Sequence, residues 1–168
     1  ITVSAALRTV ALEQGADPSR VQVIGNGVDL ARFTPVPRLD ARRQLGLPAD
    51  AEVLISVGTL LEGKGFHRVI QCVPGMLATH PALHLMIVGG GSHVGDMSVE
   101  LKEMVRGLGL DDRVHFLGPL PNDRLNEPLS AADVFVLATS YEGWANVFLE
   151  AMACGLPVVT TDVGGNAQ

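Results

Sequence analysis

Five short, almost wholly apolar runs alternate along the chain with segments that have helical periodicity. The runs are residues 53–57, 83–88, 114–117, 134–138 and 158–161. Strands that are apolar on both sides need cover on both sides, which is typical of a parallel sheet buried between helices. The intervening segments predict helices over 66–80, 98–108, about 123–131 and 146–154. The alternation therefore predicts an α/β fold with a Rossmann-like parallel sheet and helices on both faces.

The region before the first run is less regular. Ser4 is predicted to cap an amphipathic helix, and Asp40 is predicted to cap a short helix over 41–45. A short strand is predicted over 21–24. Pro74 falls inside the first of the longer helices and should kink or break it, because proline lacks the backbone N–H that a helix interior needs.

Composition excludes several classes of protein. The chain has 168 residues, 47% hydrophobic, with a formal net charge of -6, which fits one soluble domain with an adequate core. Its 12 Lys and Arg are scattered, so neither a nucleic-acid footprint nor a basic membrane patch is indicated. No apolar run approaches the roughly 18 residues that span a bilayer, and the first residues do not form a signal peptide. We therefore expect a cytoplasmic location.

The residues that most often bind metals are not grouped in the sequence. Cys72 and Cys154 are separate, in apolar helical surroundings and without Cys-x-x-Cys spacing, so we expect both to be reduced core residues. The 5 histidines show no ligand spacing. We expect no metal site.

Two acidic residues, Glu142 and Glu150, bracket an apolar segment beside the run 134–138. A carboxylate in apolar surroundings is costly unless it is paired, which indicates that these two bind something. Glu142 lies in the loop after the predicted strand, and Glu150 lies inside the following helix. In open parallel sheets the loops after the strands are where ligands bind.

Two glycine-rich loops also follow predicted strands. The loop 58–65 contains Lys64, which can neutralise phosphate charge, while its glycines allow close approach of the backbone to a ligand. The run 89–91 is weak evidence for a dinucleotide fingerprint, because Val94 occupies the position of the third glycine. It fits either a loop that borders a ligand pocket or a plain tight turn.

These motifs and their order resemble the retaining GT-B glycosyltransferases of group one, also called family four. In that family an acidic residue, a glycine and an aromatic residue precede a second Glu, in an E-x7-E pattern that leads into a small-residue helix and a Gly-x-Pro-Val-Val strand. Here the pattern is present from Glu142 to Glu150 and continues through 155–159. The loop 58–65 resembles the family's Gly-Arg-Leu-x-x-x-Lys-Gly motif, with Thr59 where the family has Arg. The resemblance covers about residues 21–165.

The resemblance implies that the chain is the C-terminal, nucleotide-sugar-binding half of a GT-B fold. Residues 1–20 would be the end of the preceding N-terminal domain or an interdomain segment, and residues 21–168 would form the donor domain, truncated at its C-terminal end. The implied reaction moves a sugar from a nucleoside diphosphate sugar to an acceptor hydroxyl with retention and without a metal or cofactor. The N-terminal domain would bind the acceptor, which could be a sugar, a lipid or another small molecule. Peripheral membrane association of the full-length protein is compatible with this, and no nucleic-acid partner is expected.

The resemblance also implies roles for individual residues. Lys64 would hold the donor diphosphate and Glu142 a sugar hydroxyl near the anomeric carbon, as the two catalytic residues. Glu150 would accept hydrogen bonds from the ribose diol. The further donor-binding residues are Gly58, Thr59, Gly89, Gly91, Leu117, Trp144, Ala145, Asn146 and Val147, of which the last two lie at a helix start whose partial positive charge suits phosphate. Asp133 also matches the family, and we interpret it as part of a turn.

Two other functions are compatible with these residues. A GT-B-fold nucleotide-sugar epimerase would bind the same kind of ligand between two similar domains. A non-catalytic nucleotide-binding module is the second alternative, since Thr59 leaves half of the cationic clamp missing.

Overall fold

The computed structural model describes residues 1–166 and has a parallel five-stranded sheet at its centre. The strands are β1 (Glu52–Val57), β2 (Leu83–Val88), β3 (Val114–Gly118), β4 (Val134–Leu137) and β5 (Val158–Thr160). They lie in the order β3-β2-β1-β4-β5, and every neighbouring pair is parallel. The predicted parallel sheet is confirmed.

Helices connect successive strands. They are α1 (Ala5–Glu13), α2 (Arg38–Gln44), α3 (Phe66–Leu77), α4 (Ser98–Gly107), α5 (Asn126–Ala131) and α6 (Asn146–Ala153), with 3-10 turns at Pro18–Arg20, Glu62–Lys64 and Asn122–Arg124. Parallel strands are joined by right-handed crossovers, so α3 and α4 cover one face of the sheet while α5 and α6 cover the other. In agreement, α3 packs on α4, and α2 packs on α5. The α/β fold with helices on both faces is as predicted.

The core follows the apolar runs. Every residue of β2 is buried, and β1 lies between two partners, with Ile55 paired to Met86 on one side and to Phe135 on the other. The ring of Phe135 meets that of Phe148 on α6 edge to face, with 5.7 Å between centroids. This contact fixes α6, the helix that carries Glu150, against β4.

Asp133 joins three elements at the other end of the sheet. Its Oδ2 accepts hydrogen bonds from Arg42 Nη2 at 2.7 Å and from the Val53 N–H at 2.8 Å. Arg42 is buried and also donates to the Ala131 carbonyl at 3.0 Å. Because a buried guanidinium is costly when unpaired, Asp133 has a structural role that holds α2 against the beginnings of β1 and β4.

One predicted helix cap is wrong, and one predicted helix break does not occur. Asp40 does not cap a helix, since α2 begins at Arg38 after Pro37 and places Asp40 in its first turn. A carboxylate in the first turn still interacts favourably with the helix dipole. Pro74 does not break α3, which continues to Leu77. Pro74 is exposed and lies in the last turn, so the helix loses one backbone hydrogen bond without a clash in the core. By contrast, Ser4 caps α1 as predicted, and its Oγ accepts from the Leu7 N–H at 3.2 Å.

The predicted strand over 21–24 is reduced to a single bridge. Val23 forms an isolated parallel bridge with Thr2, and the Ile24 N–H donates to the Thr2 carbonyl at 2.9 Å. Val23 and Ile24 are exposed, so the described residues give this segment no sheet to join and the apolar pattern alone does not make a strand.

The two cysteines differ. Both are free thiols, and Cys154 is buried as predicted, but Cys72 is exposed and its prediction as a core residue is wrong. The buried side of α3 is formed by Phe66, Val69, Ile70 and Val73. Cys72 instead lines an open apolar cavity beside Val69 and Met76. Burial, together with the charge of Glu150, raises the pKa of the Cys154 thiol to about 11. Among residues 1–166, no helix combines the length and the apolarity needed to cross a bilayer.

Candidate functional site

The site lies where the chain changes direction across the sheet. From β1 the next strand, β2, lies on one side, whereas β4 lies on the other. The loops that leave the carboxyl ends of β1 and β4 therefore turn toward opposite faces and open a crevice between them, which is the usual ligand site of doubly wound sheets. The loop 58–65 and the loop 138–145 are these two loops.

The Gly63 carbonyl oxygen ties the two loops together. It accepts hydrogen bonds from the Ser140 N–H at 2.7 Å, from Ser140 Oγ at 3.1 Å and from Thr139 Oγ1 at 3.1 Å. Thr139 Oγ1 also lies 2.9 Å from the Tyr141 carbonyl oxygen. These contacts place Lys64, the next residue after Gly63, beside residue 142.

Lys64 and Glu142 form an ion pair across the crevice. Lys64 Nζ lies 2.6 Å from Glu142 Oε2, and the two side chains are 29% and 12% exposed. The structure thus brings together the two residues predicted to be catalytic, which are 78 positions apart in the chain. Because the pair is largely shielded from water, its attraction is stronger than that of a surface pair.

The start of α6 lies directly after this loop. Ala145 occupies the N-cap position, and no side chain caps the first turn of the helix. The Asn146 side chain accepts a hydrogen bond from Asn26 Nδ2 at 2.5 Å. The predicted residues Ala145, Asn146 and Val147 therefore present a helix N-terminus on the crevice side, with its partial positive charge.

A cleft of about 270 Å³ lies on the β1 and β2 side of the crevice. It is lined by Gly58, Thr59, Gly89 and Gly91 among the predicted residues, and also by Val57, Val88, Gly90, Pro119, Leu120 and Leu125. At Gly89, with φ +145, an added Cβ would lie 1.8 Å from the Gly58 carbonyl oxygen. Only glycine permits this approach of the two loops. The run 89–91 therefore borders the cleft and packs closely on the loop 58–65.

Two predicted residues have different surroundings. Leu117 does not line the cleft but lies half-buried in β3 against the hydrophobic core, and the cleft is instead reached by Pro119 and Leu120. Trp144 is half-buried, and its Nε1 is enclosed with no hydrogen-bond acceptor among the described residues. An unpaired buried N–H of this kind is destabilising.

Glu150 lies on α6, half-buried and separate from the Lys64–Glu142 pair. Burial raises the pKa of its carboxyl, while a hydrogen bond from Asn122 and the charge of Arg32 act in the opposite direction. Asn122 and Arg32 were not predicted as neighbours of this site. Asn122 follows β3 and Arg32 precedes α2, and nothing local in the sequence links either of them to α6.

Metal-binding side chains are not clustered in the described part of the chain. Within residues 1–166 no group of three or more His, Cys, Asp and Glu is placed to hold a metal ion. His84 on β2 and His115 on β3 form a pair, with 2.9 Å between Nδ1 of the first and Nε2 of the second.

The sheet order and the site at its switch point define the Rossmann-like half of a GT-B fold. The chain belongs to the family of glycosyl transferases group 1, whose pattern matches residues 37–168. The resemblance drawn from the motifs is therefore confirmed.

Relatives in this family are similar over most of the chain. The D-inositol 3-phosphate glycosyltransferase of Geodermatophilus obscurus is 42% identical over 156 residues, which cover 90% of this chain and 35% of that protein. The enzyme of the same name from Mycobacteroides abscessus is 37% identical over 151 residues, with 89% and 33% covered. The chain thus spans about a third of the length of these relatives.

Several solved structures have the same fold as this chain. Anabaena Alr3699/HepE, solved in complex with UDP and glucose, superposes with a TM-score of 0.86 at 28% identity over 99% of this chain and 45% of that chain. Sucrose-phosphate synthase from Thermosynechococcus elongatus gives a TM-score of 0.80 at 33% identity, covering 98% and 40%. The C-terminal domain of the group 1 protein LpcC from Francisella tularensis gives 0.72 at 25% identity, covering 84% and 74%.

Proposed function

We propose that this chain is the donor-binding part of a glycosyltransferase that moves a sugar from a nucleoside diphosphate sugar to an acceptor hydroxyl with retention. The observation that carries the proposal is the Lys64–Glu142 pair, with 2.6 Å between Nζ and Oε2 at the switch point of the sheet. A cation and a carboxylate held together beside a helix N-terminus supply contacts for a phosphate and for a sugar hydroxyl in one crevice.

The diphosphate would lie between Lys64 and the start of α6. Lys64 supplies a positive charge, and the uncapped first turn at Asn146 and Val147 supplies backbone N–H groups. Thr59 lines the adjoining cleft without adding a charge. Binding would need no divalent metal, because these groups themselves offset the phosphate charge.

The nucleoside would extend toward the cleft bordered by Gly58 and Gly89, with its ribose diol on Glu150. The sugar would lie on the Glu142 side. Complexes of Alr3699/HepE with UDP and with UDP-glucose support a ligand of this class for a domain that superposes on 99% of this chain.

The chemistry follows from these positions. In the transfer step the bond between the anomeric carbon and the phosphate oxygen breaks, and the electron pair leaves with the nucleoside diphosphate. Lys64 stabilises the charge that develops there. The acceptor hydroxyl attacks the anomeric carbon from the same face, and its proton passes to the departing phosphate oxygen. Glu142 is held by Lys64, so it orients the sugar through a hydroxyl instead of attacking it.

The relatives favour transfer over isomerisation, since each is named a glycosyltransferase. Thr59 is the one observation that favours a non-catalytic nucleotide-binding module. The two functions differ in product: a longer protein that binds donor but neither hydrolyses nor transfers it would be the module, and sugar interconversion without acceptor would indicate an epimerase.

The test is titration of this chain with UDP, GDP and ADP by calorimetry in the presence of EDTA. We expect one of them to bind without metal, and Lys64→Met to weaken that binding. Arg43→Met is the matched control, since it removes one cation from an exposed site on α2. Binding that strictly requires magnesium or manganese, or an equal effect of the two substitutions, would contradict the proposal.

Catalysis itself needs the longer protein. Holding donor and acceptor in one closed cleft can lower a barrier by roughly 7 to 11 kcal/mol, and an acceptor site is expected in the N-terminal domain. We expect the longer protein to transfer sugar with retention of anomeric configuration, which NMR of the product would show, and these 168 residues alone to transfer none at a useful rate.

A further inference from the structure

The turn that follows β5 packs against the backbone of Glu142. The Gly165 N–H donates a hydrogen bond to the Glu142 carbonyl oxygen at 3.0 Å. Residues 164 and 165 therefore contact the main chain of a proposed catalytic residue from a third loop, distinct from the two loops that form the crevice.

This contact leaves no room for side chains. A Cβ added at Gly164, with φ +57, would lie 1.8 Å from the Glu142 carbonyl oxygen. A Cβ added at Gly165 would lie 2.2 Å from the Gly143 carbonyl oxygen. Both obstacles are backbone atoms, which cannot rotate away as a flexible side chain can. A larger residue at 164 or 165 must therefore displace the segment that carries Glu142.

The start of α1 packs on the same segment. A Cβ added at Gly143 would lie 3.0 Å from Leu7 Cδ1, and one added at Gly165 would lie 3.0 Å from Ser4 Cβ. Ser4 is fully buried at the start of α1. The peptide 142–143 is thus enclosed between the turn after β5 and the first turns of α1.

Resting on the proposed function, we infer that Gly164, Gly165 and Leu7 are positioning residues that set the direction of the Glu142 carboxylate in the crevice. None of them is placed to touch a donor. They act through the backbone of Glu142 and Gly143, which they contact from two separate elements of the fold, while Lys64 holds the Glu142 side chain. A displacement of about 1 Å is enough to impair a catalytic geometry. Because these contacts limit the movement of the 142–143 backbone, they keep the Glu142 carboxylate aligned with the sugar.

The inference predicts a selective defect. The contact of Glu142 with the sugar should be lost, while the contacts of the diphosphate with Lys64 and the start of α6 should remain. The relevant quantity is therefore the ratio of two affinities, that for a nucleoside diphosphate glucose and that for the bare diphosphate with the same base.

The experiment compares Gly164→Ala with Gly109→Ala. Gly109 has φ +66 and nothing within 4 Å of an added Cβ, so it has a similar backbone strain without the contact. Calorimetry would use the UDP, GDP or ADP that binds this chain and its glucose ester. We expect Gly164→Ala to lower the affinity ratio at least about tenfold, the loss of one charge-assisted hydrogen bond, and Gly109→Ala to leave it unchanged. In a Glu142→Gln background, Gly164→Ala should have no further effect on the ratio.

A second variant decides the matter if Gly164→Ala does not fold. Leu7→Ala removes the contact from α1 without adding an atom, and Val10→Ala, at a 47% exposed position of the same helix, is its control. We expect Leu7→Ala to lower the ratio and Val10→Ala not to. An unchanged ratio in the folded variants would overturn the inference while leaving the proposed function intact. Failure of the parent chain to bind any of the three diphosphates would overturn the proposed function, and the inference with it.

Discussion

Lys64 Nζ lies 2.6 Å from Glu142 Oε2, so the cation proposed to hold a diphosphate and the carboxylate proposed to hold a sugar are paired with each other. The pair joins the loop after β1 to the loop after β4, across the crevice between these two loops. A diphosphate that binds Lys64 must therefore compete with Glu142 for its charge.

This competition gives a prediction for Glu142→Gln. We expect the variant to bind the nucleoside diphosphate selected in the titration as tightly as the parent chain does or more tightly, because Lys64 no longer has a carboxylate partner. It should lose the additional affinity for the glucose ester of that diphosphate, about 1.5 to 3 kcal/mol for a hydrogen bond to a charged group. Calorimetry with both ligands measures the two effects, and Lys64→Met should weaken the binding of both. A loss of affinity for the bare diphosphate in Glu142→Gln would show that the carboxylate assists the diphosphate.

The missing cation at position 59 gives a second prediction. Thr59→Arg should tighten diphosphate binding, since charge-assisted contacts are strong, and the gain should shrink as salt is added. Thr79→Arg adds the same charge at an exposed position at the end of α3 and should have little effect. An unchanged dissociation constant of Thr59→Arg at low ionic strength would mean that residue 59 does not face the phosphates.

Glu150 should oppose stability and favour binding. Burial raises the pKa of its carboxyl, so the folded chain holds this proton more tightly than the unfolded chain does. Stability then falls as the pH rises through the ordinary carboxyl pKa toward the raised one. We expect Glu150→Gln to raise the melting temperature at neutral pH, with less effect in acid, and to weaken nucleotide binding by about 1.5 to 3 kcal/mol. The hydrogen bond from Asn122 and the charge of Arg32 lower this pKa and so reduce the loss of stability. A lower melting temperature of Glu150→Gln than of the parent chain at neutral pH would contradict the prediction.

The histidine pair should make the fold sensitive to mild acid. The rings of His84 and His115 are stacked, with 5.1 Å between centroids, and Nδ1 of the first lies 2.9 Å from Nε2 of the second. Burial lowers the pKa of both, and the charges of His115 and Arg113 lower that of His84 further, while Asp112 opposes the shift at His115. The unfolded chain therefore takes up protons first as the pH falls below about 6.5, and stability present above that pH is lost.

Urea unfolding at a series of pH values measures this loss. Replacing both rings, as His84→Gln with His115→Gln, should flatten the dependence below about pH 6.5. His93→Gln, at an exposed position, is the control and should not change it. A slope that survives in the double variant would place the titrating group elsewhere.

Asp133 should be important for stability but not for binding. Asp133→Ala would leave Arg42 buried without its carboxylate and would remove the acceptor of the Val53 N–H, which should cost about 3 to 5 kcal/mol of unfolding free energy. Arg38, the other partner of Asp133, is 52% exposed, so Arg38→Ala should cost under about 1 kcal/mol. Nucleotide affinity of the folded variants should be unchanged, and equal destabilisation by the two would contradict the assigned difference.

Most of the fold could be predicted from local pattern. The five strands appear close to the predicted positions, because an apolar run fixes both the extended backbone and its burial. Errors arose where local preference met a competing constraint. Asp40 has a good capping side chain, yet Pro37 begins the helix earlier, and the apolar segment 21–24 finds only the Thr2 bridge.

By itself the sequence determined the order of strands and helices, the loops after them, and the residue types that suit a phosphate and a sugar. Only the tertiary structure decided which of these residues meet. Lys64 and Glu142 are 78 positions apart, and they pair because β4 lies beside β1 instead of beside β3. Likewise, Gly164 reaches Glu142 only after β5 has joined the edge of the sheet. Contacts of this kind depend on strand order and crossover direction, which are set by the packing of the whole sheet and not by neighbours along the chain.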